Sequence, residues 1–465
     1  MGWEELEERV RRWEERMNPE QRRAAEAIVR GWNEAGEGGF LLPIVDGPPG
    51  TGKTHVAAVG CAKYVLEARG RGEPEVAYLC KTNFACERAK QILLEMGFTF
   101  YPPSTTLPDA PLAVRIKAGE QAEQWEDGVV GWDNMSKLDE DFLKMHHILL
   151  VTVDSARKVH RMRRNPKMVV DEFSQVNAMD FFAAVERVCG AGGEQAPLLQ
   201  GLALLGDPLQ LPLVTTQSEL RTNILHYLEC LFHSRTLPRH RLKKQYRMNR
   251  VICEGVNMIR EKAWNTYRLE TAEEVANRRF EANLPGDLPG GIREALDPDH
   301  PLVLVDTSDL GDERRGFGQV AGDCSVSNPA EARLATELAW AAMRGTNPKE
   351  VRVLTPYSAQ VRAIGEGLEK LAGPVGREAV STVWRAQGQE WPCVIVSLVR
   401  SNDDRRLGFL GDEILKAQLY VAVSRAQAKL VVLAAHKRTF EGHKDMDALW
   451  ETPGALKLRG KDLCR

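Results

Sequence analysis

Eight residues, GPPGTGKT at 47–54, place glycines, a lysine and a hydroxyl at the spacing G-x-x-x-x-G-K-[ST]. That spacing suits a phosphate loop. Gly47, Gly50 and Gly52 allow a tight backbone turn whose N–H groups face phosphate oxygens, with Pro48, Pro49 and Thr51 completing the loop. Lys53 is then placed to reach the β- and γ-phosphates of a nucleotide, and Thr54 to hold Mg²⁺. The helix that follows adds partial positive charge at its start. Farther along, MVVDEFSQV at 168–176 ends an apolar run in two adjacent carboxylates, Asp171 and Glu172. Alone, such a pair is an acidic strand end. With a phosphate loop upstream, Asp171 fits the carboxylate that completes a Mg²⁺ site, and Glu172 fits a residue that polarises the attacking water.

These residues need strands to carry them. Apolar, β-rich runs end in polar or turn residues at 40–47, 76–80, 148–154, 167–172 and 202–207, with helical stretches such as Ala57–Ala68 and Ala85–Met96 between them. Strands alternating with helices predict a parallel sheet covered on both faces. A second set of buried runs follows at 301–307, 351–356, 379–383, 392–399 and 429–435. The expected organisation is an N-terminal helix at 1–17, a first domain at 18–242, a second at 243–440 and a tail at 441–465. Residues 97–146, with PPSTTLPDAP and then polar sequence, read as a small insertion in the first domain, and 270–300 as a connection. In the N-terminal helix Trp3, Leu6, Val10 and Trp13 share a face, which either docks on this chain or binds a protein partner. No repeat of 20–50 residues supports a solenoid.

The chain has 465 residues, enough for two or three domains. Its net charge of −3 excludes a wholly basic nucleic-acid coat and leaves room for a local basic channel. The basic runs at 158–167 and 239–247 suit either a channel or solvated faces. The charged N-terminus resembles no secretory signal, and no apolar run approaches the roughly 20 residues a membrane span needs. Nine scattered cysteines without a CxxC pair argue against a zinc or disulfide framework and suit a reducing compartment. The expectation is an intracellular monomer, in cytoplasm or nucleus, without membrane association.

Further polar signatures follow the later strands: LLGDPLQLPLV at 204–214, KKQYRMN at 243–249, TPYSAQV at 355–361, STVWRAQGQEW at 381–391 and LYVAVSRAQAKLVVL at 419–433. With the two earlier motifs, over about residues 18–440, they resemble the core of superfamily 1 helicases, most closely the up-frameshift-type branch. The resemblance implies an α/β fold of two tandem RecA-like P-loop domains, parallel sheets flanked by helices, with ATP hydrolysed in the cleft between them. By the same resemblance Gln21 reads the adenine edge and Tyr246 stacks on the base. Arg247 and Arg425 reach the γ-phosphate, where a planar guanidinium can meet two oxygens. Gln210 senses the γ-phosphate or water, Gln175 links that phosphate to the second domain, and Glu390 is associated with the nucleotide sugar. Single-stranded RNA or DNA is the implied partner, with Thr82, Asn83, Thr152, Pro356, Gln360 and Thr382 matching strand contacts of the family. Hydroxyls and amides suit phosphate and sugar without base preference. Trp384 either stacks on a base or packs in the fold.

The implied function is an ATP-dependent single-strand translocase and 5′→3′ helicase. Its alternative is a nucleotide-dependent clamp on RNA, DNA or protein with ATPase and little unwinding. A P-loop kinase or GTPase would leave the second half unexplained. The chain departs from the family pattern at Phe173, where Ala or Ser is common, and at Pro392, where Asp is. It departs again at Tyr420, where Asn is common, and at Ala417–Gln418, where an Arg pair is. These changes spare the ATPase residues and bear on coupling to the strand.

Overall fold

The structure, a computed structural model, describes residues 2–33, 42–69, 76–100, 110–117, 129–131, 146–156, 167–189, 199, 201–211, 222–231, 237, 239–312, 314–317 and 324–463. The chain divides into two compact units, Met1–Pro208 with Pro212–Leu242, and Leu209–Leu211 with Lys243–Arg465.

Unit 1 begins with helices α1 (Trp3–Arg16) and α2 (Pro19–Asn33). It continues through β1 (Ile44–Asp46), α3 (Lys53–Ala68), β2 (Val76–Cys80), α4 (Asn83–Met96), β3 (Thr99–Phe100), β4 (Leu112–Lys117), β5 (Val129–Gly131) and β6 (Ile148–Thr152). After these come α5 (Val153–Ala156), β7 (Lys167–Asp171), α6 (Ala178–Cys189), β8 (Gly201–Gly206), α7 (Ile224–Leu231) and β9 (Arg239–Arg241). The strands run in the order β3-β4-β6-β2-β7-β8-β1-β9, with β5 also beside β4, and their pairings are parallel. One face packs against α1–α4 and the other against α5–α7. Covered on both sides, strands such as ILLVT and GLALLG are buried along their whole length, which is why they read as continuous apolar runs.

The register sets the site. Asp46 at the end of β1 pairs with Gly206, and Asp171 at the end of β7 pairs with Leu205, so β1 and β7 end within one residue of each other with β8 between them. Two interstrand spacings put those ends about 10 Å apart. The first turn of α3 spans that gap.

Several expectations change here. The apolar face of α1 is covered by its own unit: Trp3, Leu6 and Val10 are buried, and Trp13 lies 5.1 Å from His55 of α3. That face docks the helix and is not left open for a partner. Residues 97–146 are not simply an insertion, because β3 and β4 belong to the main sheet and β4 pairs with β6 over Ala113–Ile116. The charge of Arg115 obscured LAVRIK as a strand; its guanidinium is buried against Glu87 and donates to the Asn83 carbonyl at 3.2 Å. Much of PPSTTLPDAP lies outside the described residues, as does 158–166 of the first basic run. Lys167, the last of that run, is buried and donates to the Trp32 carbonyl at 2.7 Å, so it lines no channel. Arg239–Arg241 of the second run is β9, an edge strand beside β1.

Unit 2 contains β10 (Lys244–Gln245), α8 (Arg250–Lys262), β11 (Glu270–Thr271), β12 (Leu302–Asp306), α9 (Pro329–Gly345), β13 (Val351–Thr355) and α10 (Ser358–Ala372). It continues with β14 (Val380–Thr382), β15 (Trp391–Ser397), α11 (Asp412–Val423), β16 (Ala426–Ala434) and β17 (Leu456–Arg459). The main sheet runs β14-β13-β15-β16-β12-β17, all parallel. Residues expected as a tail therefore supply an edge strand, β17. The fold is that of two RecA-like α/β units in tandem.

Two of the departures are structural in unit 2. Pro392 has no N–H to give, and the β15–β16 register shifts between Trp391 and Cys393 to accommodate it. Tyr420 is buried, and its hydroxyl accepts from Nη1 of the buried Arg260 at 2.8 Å. Ala417 and Gln418 are buried as well. Among the described residues no helix is long and apolar enough to cross a membrane.

Candidate nucleotide site

The loop between β1 and α3 is anchored at both ends. Gly47 N–H donates to the Gly206 carbonyl at 2.9 Å, and the buried Thr51 hydroxyl donates to the Pro48 carbonyl at 2.7 Å. Gly50 and Gly52 have φ of 78° and 83°, a region that glycine enters without strain. A Cβ at Gly52 would also come within 2.7 Å of Gln21 Nε2. The Lys53 ammonium folds back onto the carbonyls of Gly47 and Pro48.

Thr54 in the first turn of α3 donates its hydroxyl to Asp171 Oδ2 at 3.1 Å. Tyr78 of β2 donates to the same oxygen at 3.1 Å, and the Glu172 N–H donates to Asp171 Oδ1 at 2.9 Å. Burial, and then the Asp171 charge, raise the Tyr78 phenol well above its ordinary range, so it stays a donor. These oxygens fit Mg²⁺. It takes hard oxygen ligands at about 2.1 Å, and two adjacent ligands of an octahedral ion lie roughly 3.0 Å apart. Thr54 and Asp171 already stand at that separation.

Glu172 has φ of 59°, left-handed backbone that is uncommon outside glycine and typical of functional turns. It carries β7 into a tight turn at Phe173–Gln175, where Gln175 N–H donates to the Glu172 carbonyl at 3.0 Å. Phe173 is fully buried, and a Cβ on Gly206 would approach its ring to 2.6 Å. The larger residue is thus matched by a glycine at the end of β8. Gln175 Nε2 is a buried donor without a partner among the described residues, as a group awaiting a phosphate oxygen or water would be.

Gln21 behaves otherwise than expected. Its amide accepts from Asn18 N–H at 3.0 Å and donates to the Thr51 carbonyl at 2.9 Å, while Asn18 Oδ1 accepts from Gln21 N–H at 2.9 Å. This reciprocal cap on α2 braces the phosphate loop. It leaves the amide engaged with backbone rather than presented to a base.

In unit 2, Arg247 and Arg425 meet around one residue. Arg247 Nη1 donates to the Ser424 carbonyl at 3.0 Å, and Arg425 Nη2 lies 3.4 Å from the Ser424 hydroxyl. Arg425 also donates to the carbonyls of Val421 at 3.0 Å and Gln389 at 3.2 Å. Glu390 is the ion-pair partner of Arg247 and accepts from Gln427 at 3.1 Å. Tyr246 is half-buried with the Lys244 ammonium 5.6 Å from its ring centre. Gln210 Oε1 accepts from Gln387 Nε2 at 3.1 Å.

The six strand candidates separate by burial. Thr82 caps α4, accepting from Ala85 N–H at 3.1 Å, and Asn83 beside it is exposed. Thr382 is half-buried at the end of β14. Thr152 is buried and caps α5 through Ser155, and Pro356 is buried after β13. Gln360 is wholly buried, its amide bonded to Asn328 and Ser397. In this structure Thr152 and Gln360 cannot touch a strand, because their polar atoms are spent inside the core. Trp384 packs against the core of unit 2. Sequence reasoning missed Tyr78 and Arg115, which hold Asp171 and Asn83; both sit inside runs that read only as strand interior.

Two sequence profiles, each described as an AAA domain, match residues 225–437 and 41–216. DNA replication ATP-dependent helicase/nuclease DNA2 of Mus musculus is 32% identical over 292 residues, 57% of this chain and 24% of that protein. DNA polymerase alpha-associated DNA helicase A of Schizosaccharomyces pombe is 27% identical over 440 residues, 84% of this chain and 60% of that protein. The chain thus spans less than two thirds of either relative. The solved complex of arterivirus nonstructural protein 10, a helicase, with DNA aligns over 92% of this chain and 67% of that one, at 14% identity and a TM-score of 0.41.

Proposed function

Because the chain carries the superfamily 1 helicase core, we propose that it hydrolyses ATP with Mg²⁺ and moves along single-stranded RNA or DNA, unwinding duplexes 5′→3′. The observation that carries the ATPase reading is the 3.1 Å approach of the Thr54 hydroxyl to Asp171 in a buried, fully oriented carboxylate site. Bound Mg²⁺ would neutralise charge on the β- and γ-phosphates. Thr54 and Asp171 would hold it, with Tyr78 and the Glu172 N–H keeping the carboxylate in place. Lys53 exchanges its loop carbonyls for phosphate oxygens. Glu172 orients and polarises water, and Gln175 supplies its orphan amide to the γ-phosphate or that water.

Arg247 and Arg425 would bring positive charge to the transferred phosphoryl group. Glu390 then acts by positioning Arg247. Strand contact is proposed for Thr82, Asn83 and Thr382, whose side chains are accessible. A clamp that hydrolyses ATP with little unwinding is the second reading, favoured by the burial of Thr152, Pro356 and Gln360, which leaves fewer direct grips.

The test is ATPase rate with and without single-stranded RNA and DNA, followed by strand displacement on duplexes with either tail polarity. Strand-stimulated turnover with displacement from a 5′ tail is expected. Stimulation without displacement selects the clamp, and absence of ATPase in every condition overturns both.

A further inference from the structure

Unit 2 holds a buried polar cluster that the nucleotide chemistry does not use. Val399, two residues beyond β15, has φ of 72°. The Arg400 N–H donates to the Leu398 carbonyl at 2.7 Å, closing a γ-turn of the rare positive-φ kind around it. A β-branched residue in that region is strained and persists only where its surroundings impose it.

The surroundings are specific. Glu331 Oε2 accepts from the Val399 N–H at 2.9 Å and from the Ser397 hydroxyl at 2.7 Å, and Oε1 accepts from the Thr307 hydroxyl at 2.7 Å. Asn328 Nδ2 donates to the Val399 carbonyl at 3.2 Å, so both peptide groups of the strained residue are held. Gln360 forms the outer layer: its Oε1 accepts from Asn328 N–H at 2.9 Å and its Nε2 donates to Ser397 at 3.0 Å. Asn328, Glu331, Gln360, Ser397 and Thr307 are all fully buried. A carboxylate withdrawn from water is costly unless its lone pairs are met; here Oε2 meets the turn and Oε1 meets Thr307 after β12.

The turn stands at the carboxyl end of β15, next to β13 and one strand from β14, whose ends carry Pro356 and Thr382. Ligands of open parallel sheets bind at that edge. Beyond the turn, Arg400 and Ser401 are buried and Asn402–Arg406 emerge at the surface, with Arg400 Nε donating back to the Arg406 carbonyl at 3.0 Å. We propose that Asn328, Glu331 and Gln360 are positioning residues for strand engagement: by holding the turn at Val399 they aim the loop 400–406 at the nucleic acid. This rests on the strand-translocase reading above. It also gives Gln360 a role that direct contact cannot.

The test uses the full chain. Glu331→Ala raises the concentration of single-stranded DNA needed for half-maximal ATPase stimulation about tenfold, with basal ATPase and KM for ATP unchanged. Glycine takes positive φ without strain, so Glu331→Ala with Val399→Gly recovers most of the loss, and Glu331→Gln falls between. Trypsin cleavage after Arg405 and Arg406 reports the loop without any strand: it accelerates in Glu331→Ala and slows again in the double variant. Gln360→Leu, a milder lesion, moves both readouts the same way and serves if Glu331→Ala does not fold. Unchanged half-stimulation with unchanged cleavage overturns the proposal, as does a loss that Val399→Gly fails to rescue. If no strand stimulates the wild type, the underlying reading fails, and the trypsin rates still decide whether the clamp holds the loop.

Discussion

The two units hold their charged groups in opposite ways. In unit 1, Asp171 is kept ready by neutral donors, Thr54, Tyr78 and a backbone N–H, at the separation two ligands of one ion require. In unit 2, Arg247 and Arg425 are occupied by Glu390 and by carbonyls of their own unit. A buried carboxylate accepts from groups that can also serve a bound cation. A buried guanidinium is donor-only and must share or surrender acceptors before it meets a phosphate. The carboxylate side is therefore preset, whereas the arginines would have to exchange partners to meet a phosphate.

The sharpest break of that contrast is at the preset side. Lys53→Ala and Glu172→Gln are expected to bring turnover to background, a general base alone being worth ~10²–10⁴-fold. Fluorescent-nucleotide titration should show binding kept in Glu172→Gln and lost in Lys53→Ala; persistent ATPase in both variants refutes the site. On the exchanging side, Arg425→Ala should lower strand-stimulated kcat by about 10³-fold with little change in nucleotide affinity, measured by steady-state kinetics. Equal losses in affinity and kcat would mean that Arg425 is already engaged in the ground state.

Phe173→Ala removes a ring matched to Gly206 and should cost ~3–5 kcal/mol in urea unfolding. Restored stability in a Gly206→Ala background would confirm the pairing. Gln21→Ala should cost about 1 kcal/mol and raise KM a few-fold while leaving preference for ATP over GTP intact. Relaxed base preference would return Gln21 to the adenine.

A pH-dependent effect lies in the frame of unit 2. Lys429, fully buried in β16, donates to the carbonyls of Asp297 at 2.8 Å and His300 at 2.6 Å, and burial lowers its pKa from 10.5 to about 7. The unfolded chain then binds the extra proton between pH 7 and 10.5, so this group's contribution to stability falls as pH drops through that window and is flat below it. Lys429→Met should remove that slope from urea midpoints measured across pH 6–10.

The strands flanking both active-site motifs were legible because a parallel sheet buried on both faces writes itself as unbroken apolar runs. β4 was not, because Arg115 interrupts the run and its partners Glu87 and Asn83 come from a different element. β17 was not, because LKLR is an edge strand with alternating exposure. Glu390 and Gln21 were placed by analogy at the nucleotide; what no local spacing recorded is that Glu390 also holds Arg247 and Gln427, and that Gln21 bonds Asn18 and, in the phosphate loop, Thr51.

Residue types and local spacing settled the phosphate loop, the paired carboxylates and the alternating α/β plan, since each depends on chemistry available within a few residues. Only the tertiary structure decided which polar side chains remain free for a ligand. That depends on what distant strands bring against them: Tyr78 against Asp171, Gly206 beneath Phe173, Glu390 on Arg247, and Asn328 and Ser397 around Gln360. A buried polar atom must be satisfied wherever the fold puts it, and no local spacing records which neighbour will do so.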